Sequence, residues 1–239
     1  MGAVQELAEW SGKAARVIPV ALAPKPASFD RDVRIPGYRA IAELCGKKPT
    51  GAFKRSTGKP RNKLPGVSKE RDIPPDKLPA YWMKSLDALM AGYHEICAYS
   101  CFRVHPVTGA RSADHYVAKS RSWRRVYEWS NYRLCSSRVN ARKTDASTVL
   151  DPFQVAVGWF QLELLGFQVH PDRTLMAKQQ TKIQRTIDRL GLNEFRHERE
   201  RDATDYWSRD VSLKILRAES PFVAFELYRQ RRLNPGDTW

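Results

Sequence analysis

Between Cys97 and Asp145 the polar residues recur at intervals that a packed core does not require. Asp114-His115 is followed by Asn131 sixteen positions after the histidine, by Asn140 nine positions later, and by Lys143 one helical turn beyond. Short β-prone runs at Phe102 to Val104 and Ala113 to Tyr116 are separated by Pro106-Val107-Thr108-Gly109, a turn-forming stretch with glycine where positive φ is cheap. This predicts a hairpin. Tyr132-Arg133-Leu134 then brings the chain back, Ser136 or Ser137 can cap a helix, and Val139 to Lys143 form its first turns. In that arrangement Asp114 and Asn140 face each other.

An isolated Asp-His pair is usually a solvated turn, but here four positions stand in order within a strand, loop, strand, helix context. With Glu128-Trp129-Ser130-Asn131-Tyr132-Arg133-Leu134, the stretch resembles the HNH nuclease motif. In that motif two strands and a helix, the ββα-metal finger, hold one divalent cation against a phosphodiester. The resemblance implies an HNH endonuclease whose catalytic set is His115, Asn131, Asp114 and Asn140. A neutral imidazole suits proton abstraction from water, which makes His115 the general base. Carboxylate and amide oxygens are hard ligands, so Asp114 and Asn140 would hold Mg2+ or Mn2+, which acts as a Lewis acid. By the same resemblance, Asn131 is a bracket whose amide fixes the loop carrying His115 rather than a ligand. Lys143 and Arg142 lie where a phosphate would be, and Lys119, Arg138, Lys54 and Arg55 complete the expected nucleic-acid contacts.

Many such fingers carry a structural zinc between two Cys-x-x-Cys pairs. Here the first pair is Cys97-x-x-x-Cys101 and the second is Cys135-x-x-Arg138. Three thiolates from Cys97, Cys101 and Cys135 would need His94 or His105 to complete a tetrahedral site, so packing is expected in place of structural zinc.

The stretches CAYS, SADHYVAKS, YEWSNYRL, VNARK and VLDPF together resemble the HNH proteins of the PtuB type, found in Septu and retron-linked bacterial anti-phage defence beside a PtuA-type ATPase. That resemblance implies a nuclease effector acting on DNA, restrained by a protein partner such as that ATPase or another defence component. Two other classes are weighed beside it, and the joint presence of Asp114, His115, Asn131 and Asn140 argues against the first. A catalytically silent basic module would bind nucleic acid without cutting it, and a structure-specific or homing nuclease would use the same chemistry outside defence.

Charge agrees with a polyanionic partner: 41 Lys and Arg against 26 Asp and Glu give a formal +15. Four cysteines without a disulfide framework fit a reducing cytosol, and the expected location is cytoplasmic. Lys13 and Arg16 precede an apolar stretch, but Glu6, Glu9 and two prolines spoil a signal peptide. No apolar run approaches the roughly 20 residues that span a bilayer, so no membrane partner is expected.

The expected fold class is α+β: a small ββα finger at 94 to 152, between an irregular and helical segment at 1 to 93 and a mainly helical region at 153 to 239. Tyr38 to Cys45 reads as a short helix. From Lys47 to Arg71 nine Lys or Arg accompany one acid, Glu70, in a flexible basic arm that either tracks phosphates or serves as a solvated linker. A helix is expected from about Lys77 to Tyr93, with Trp82 a buried anchor. Trp159 to Leu164 and Phe167 to His170 are strands or a buried helix end. Further on, Asp172 caps a helix ending at Gly191, Asn193 caps one running to about Arg217, and Ser220-Pro221 starts the last.

Overall fold

The computed structural model describes residues 20–54 and 59–239. The first nineteen residues, with Lys13 and Arg16, and Arg55 of the basic arm lie outside the described residues. The fold is α+β. Among the described residues, seven α-helices accompany two antiparallel sheets of two strands each.

Strand β1 (Arg111–His115) pairs with β2 (Tyr132–Ser136), with Arg111 opposite Ser136 and His115 opposite Tyr132. Side chains alternate along a strand, so Ser112 and Asp114 share one face while Ala113 and His115 share the other. Helix α3 (Ser137–Lys143) begins where β2 ends. The Ser136 hydroxyl accepts the Val139 N–H at 3.4 Å, as expected of an N-cap.

The anticipated hairpin between Phe102–Val104 and β1 does not form. Arg103 makes only an isolated bridge with Ile96, and the N–H groups of Arg103 and Val104 go to the Glu219 and Glu95 carbonyls at 2.9 and 2.7 Å. Two ion pairs, to Glu95 at 2.7 Å and Glu219 at 2.5 Å, hold Arg103 there. Strand β2 pairs with β1 instead, with Leu134 opposite Ala113 and Arg133 opposite Asp114. Gly109 is needed for closeness rather than for positive φ: a Cβ there would lie 2.5 Å from the His105 nitrogen.

Upstream, α1 (Ile35–Leu44) follows a π-helical turn at Asp30–Arg34. A Cβ at Gly37 would fall 2.3 Å from the Tyr127 ring, so this glycine lets α1 lie against the loop that joins β1 to β2. The helix expected over 77–93 is broken into 3-10 turns at Pro75–Lys77 and Tyr81–Ser85, and a short α2 (Leu86–Gly92). Pro79 is the cause, because it drives Leu78 out of the helical region, to φ −72 and ψ 121. The basic arm is tied back at several points. Leu64 N–H reaches the Leu44 carbonyl at 2.9 Å, Val67 is buried, and Arg61 N–H reaches the Glu43 carboxylate at 3.0 Å.

Beyond α3, β3 (Phe160–Leu162) and β4 (Val169–Pro171) form the second hairpin. Helix α4 (Ala177–Leu190) stops at Gly191, which takes a left-handed φ of 62. Asp172 caps the turn at Thr174 at 2.9 Å instead of the helix. The Asn193 amide clamps both backbone groups of Val169 rather than capping a helix, and the expected long helix is two, α5 (Arg196–Trp207) and α6 (Leu213–Glu219). Helix α7 (Pro221–Arg229) starts on its proline.

Buried side chains from Val20 to Leu227 form one continuous core that residues 94 to 152 share with both flanks. Arg133 on β2 cements it, donating to both oxygens of Asp151 at 2.9 and 2.8 Å with its guanidinium 3.4 Å from the Phe153 ring centroid. Among the described residues, no helix is long and apolar enough to cross a membrane.

Candidate active site

His115 ends β1 on the face opposite Asp114, and its ring is boxed by aromatic edges. The Trp82 ring stands T-shaped at 4.8 Å and that of Tyr132 at 5.1 Å. Nε2 lies 3.0 Å from the Val126 carbonyl oxygen. A carbonyl only accepts, so Nε2 carries the hydrogen and the lone pair resides on Nδ1. Burial pushes the imidazole pKa down to about 3, with the Lys119 charge adding to the effect and the Val126 bond opposing it. His115 is therefore neutral at physiological pH.

Asn131 fixes the loop between the strands. Its Oδ1 accepts the Val117 N–H at 2.8 Å, and its Nδ2 donates to the Val117 and Arg125 carbonyls at 3.0 and 2.9 Å. These bonds all go to backbone, and the side chain is fully buried. Val126, the partner of His115, is the residue after Arg125. The amide thus sets the position of the group that sets the imidazole.

Asp114 faces the other way, into a polar pocket sealed from solvent. Its Oδ1 accepts from Lys143 Nζ at 3.0 Å and its Oδ2 from the Tyr99 hydroxyl at 2.6 Å. Lys143, expected beside a phosphate, is instead wholly buried, and its ammonium also reaches the His115 and Tyr116 carbonyls at 3.1 and 3.2 Å. Burial raises the Asp114 carboxyl pKa, and the Lys143 charge pulls against that shift. Burial and the Asp114 charge hold the Tyr99 phenol well above its usual range, so it stays a donor.

The Asn140 amide donates to the Oγ of Ser112, two positions before Asp114 on β1, at 2.7 Å. Asp114 and Asn140 stand on the same side of β1, as the alternation requires, but they do not touch. A carboxylate and an amide oxygen suit a hard cation chemically. As the side chains stand they do not fit one, because both Asp114 oxygens are bonded and one bears an ammonium.

Cys97, Cys101 and Cys135 are buried, and no disulfide joins them. The Cys97 sulfur accepts the Ser100 N–H at 3.4 Å, and the Cys135 thiol lies 3.7 Å from the Ser112 carbonyl. His105, a candidate fourth ligand, turns Nδ1 to the Val107 and Thr108 N–H groups at 3.2 Å each. Among the described residues no group of three or more His, Cys, Asp or Glu is placed to hold a metal ion.

The expected phosphate contacts divide. Arg138 and Arg142 both turn to Glu194, the first at 3.1 Å, so one carboxylate is shared between two guanidiniums and one of the two positive charges stays uncompensated. Lys54 is exposed on the arm. Lys119 lies with its ammonium 4.4 Å from the centroid of the Trp82 ring, beside His115. Sequence reasoning missed Tyr99 and Val126. Tyr99 sits in the stretch CAYS, but nothing in its spacing points at Asp114. Val126 acts through its backbone, which leaves no trace in residue type.

No family model matches the chain, and no curated protein matches it either.

Proposed function

We propose that this chain is an HNH-type endonuclease that hydrolyses phosphodiester bonds in DNA, with His115 taking a proton from the attacking water. The observation that carries the reading is the His115 Nε2 bond to the Val126 carbonyl, which leaves the Nδ1 lone pair available on a neutral ring. Asn131 is a positioning residue, acting through the loop that presents Val126. Dependence on Mg2+ or Mn2+ enters from the resemblance to the HNH family and requires Lys143 to leave Asp114. The resemblance to PtuB-type proteins adds a role as the nuclease effector of a bacterial anti-phage defence system, with a PtuA-type ATPase or another defence component as partner. Co-expression with such an ATPase, followed by sizing of the complex, tests that role.

His115→Ala is the test of the chemistry. Plasmid cutting should fall by about 10²- to 10⁴-fold, while binding to the same DNA persists. A His115→Ala protein that cuts like the parent at neutral pH would overturn the assignment.

The second reading, a basic binding module that does not cut, is favoured by the Lys143 ammonium on Asp114. It expects binding with no cutting by the parent protein in Mg2+ or Mn2+.

A further inference from the structure

Several cations around the finger are paired with acids. Arg111 pairs with Asp87, Lys47 with Glu70, Arg103 with Glu95 and Glu219, and Arg138 and Arg142 with Glu194. Three that are not lie together over two adjacent rings, Tyr81 and Trp82. Arg61, from the basic arm, donates from Nη2 to the Tyr81 hydroxyl at 2.9 Å with its guanidinium 5.8 Å from that ring's centroid. Lys84, on the same 3-10 turn, places its ammonium 5.8 Å from the Tyr81 ring. Lys119, from the loop after β1, stands 4.4 Å from the Trp82 ring. None of the three forms an ion pair among the described residues.

Like charges repel, and the acids that act on them, Asp32 on Lys84 and Asp76 on Lys119, do so without forming an ion pair, so an anion laid across the three gains from all of them. The rings hold the cations by their electron-rich faces without neutralising them, so each keeps its charge for a ligand. The turn also has a direction. Trp82 abuts His115 edge-on at 4.8 Å, while Tyr81 and Arg61 lie further out, toward the arm. A chain of phosphates laid along Arg61, Lys84 and Lys119 would arrive beside the imidazole. Trp82 itself is covered by Lys119 and by the stacked Tyr127 ring at 6.2 Å, so it supports a cation and is no platform for a base.

We infer that the turn Tyr81–Ser85, with Arg61 and Lys119 laid over it, is the track on which the sugar-phosphate backbone of the DNA strand is held as it reaches His115. This rests on the nuclease reading and deepens it. Bonds to phosphate carry no base information, so the track binds all sequences alike.

The test is fluorescence anisotropy on the full chain in chelator, so that no cutting intervenes, using a labelled oligonucleotide as duplex and as single strand over a series of salt concentrations. Arg61→Gln, Lys84→Gln and Lys119→Gln are combined in one variant. A second variant carries Arg173→Gln, Lys178→Gln and Lys182→Gln, which remove the same charge from exposed positions on and before α4. Every phosphate that the protein no longer neutralises lowers the slope of log affinity against log salt by about 0.9 on duplex and about 0.7 on single strand. The first variant should therefore show a slope shallower by about 2 to 3 and bind at least about tenfold more weakly at low salt. The second should stay near the parent. Parental binding by the first variant, or equal weakening in both, overturns the track. So does polyglutamate competing as well as DNA. If the triple variant does not fold, Lys84→Glu alone at its exposed site carries the test, with an unchanged slope as the overturning result. Because the readout is binding, its failure leaves the His115→Ala cutting assay to decide the nuclease reading separately.

Discussion

The ammonium of Lys143 lies 3.0 Å from Asp114 Oδ1, and neither side chain keeps more than 2% of its surface. One cation, held by the carboxylate and by two backbone carbonyls, fills the polar side of the β1–β2 hairpin. The charges were taken out of water together, so removing one strands the other. Lys143→Met should cost about 3 to 5 kcal/mol in urea unfolding at neutral pH. Asp114→Asn in the same chain should restore most of it. The sign with pH follows from burial, which sets the folded Asp114 pKa above its ordinary 3.8. A raised carboxyl favours the folded state below that ordinary value and loses the contribution as pH rises through the folded pKa. Lys143→Met, lacking the opposing charge, should therefore lose more at pH 8 than at pH 4. A loss that is equal at both would show that Asp114 is not the stranded group.

Metal dependence is a separate expectation. Cutting should require Mg2+ or Mn2+ and stop in chelator, since the proposed ligands offer only oxygen. An ion at Asp114 competes with Lys143 for the same carboxylate. Mn2+ should accordingly raise the unfolding midpoint of Lys143→Met more than that of the parent, by the linkage of binding to stability. Cutting that continues in chelator removes the metal from the proposal.

Asn131→Ala addresses the loop. It leaves the Val117 N–H and the Val117 and Arg125 carbonyls without their partner inside a buried loop. The expected cost is about 2 to 4 kcal/mol, with hydrogen exchange rising first at Val117. Asn131→Asp keeps the acceptor but turns a second carboxylate oxygen onto the Val117 and Arg125 carbonyls inside the buried loop, so it should destabilise at neutral pH at least as much as the alanine variant. An alanine variant as stable as the parent would falsify the bracket role.

Legibility in the sequence depends on whether neighbours along the chain are also neighbours in space. Strand β2, the Ser136 cap and the Gly191 stop are readable because turns, caps and alternation are local. Asn131 as the loop's bracket comes from the family pattern, and its bonds are local too. The failures are interactions between distant residues. Sequence assigns β1 the wrong partner because Phe102–Val104 is as β-prone as β2. Arg103 reaching Glu219, 116 positions away, decides against it. Pro79 is a local signal that the periodicity of the expected helix masks. Lys143 reads as a surface cation because lysine is seldom wholly buried, and only Asp114 and two carbonyls around it make its burial tolerable. YEWSNYRL and VLDPF stand as separate signatures in the sequence, whereas Arg133 of the first is ion-paired to Asp151 of the second at 2.8 Å.

His115 makes the last prediction, because one physical cause governs both stability and rate. Burial depresses its folded pKa to about 3, below an ordinary value of 6.5. A depressed imidazole contributes stability that is fully present above 6.5 and is lost as pH falls toward 3, since the unfolded chain takes up the proton first. Between those limits the parent should lose up to about 1.4 kcal/mol for each pH unit from this group. His115→Gln has no such proton to gain, so the difference between the two unfolding curves should shrink steadily on acidification from pH 6.5 to 4. The same neutrality predicts the rate. A base already deprotonated at pH 6 gives a cutting rate with no histidine limb between pH 6 and 8, measured in single turnover with protein in excess over DNA. A rate that climbs tenfold per unit up to pH 6.5 would mean that the reacting imidazole is solvated when DNA is bound, and that the aromatic box of Trp82 and Tyr132 opens before the cut.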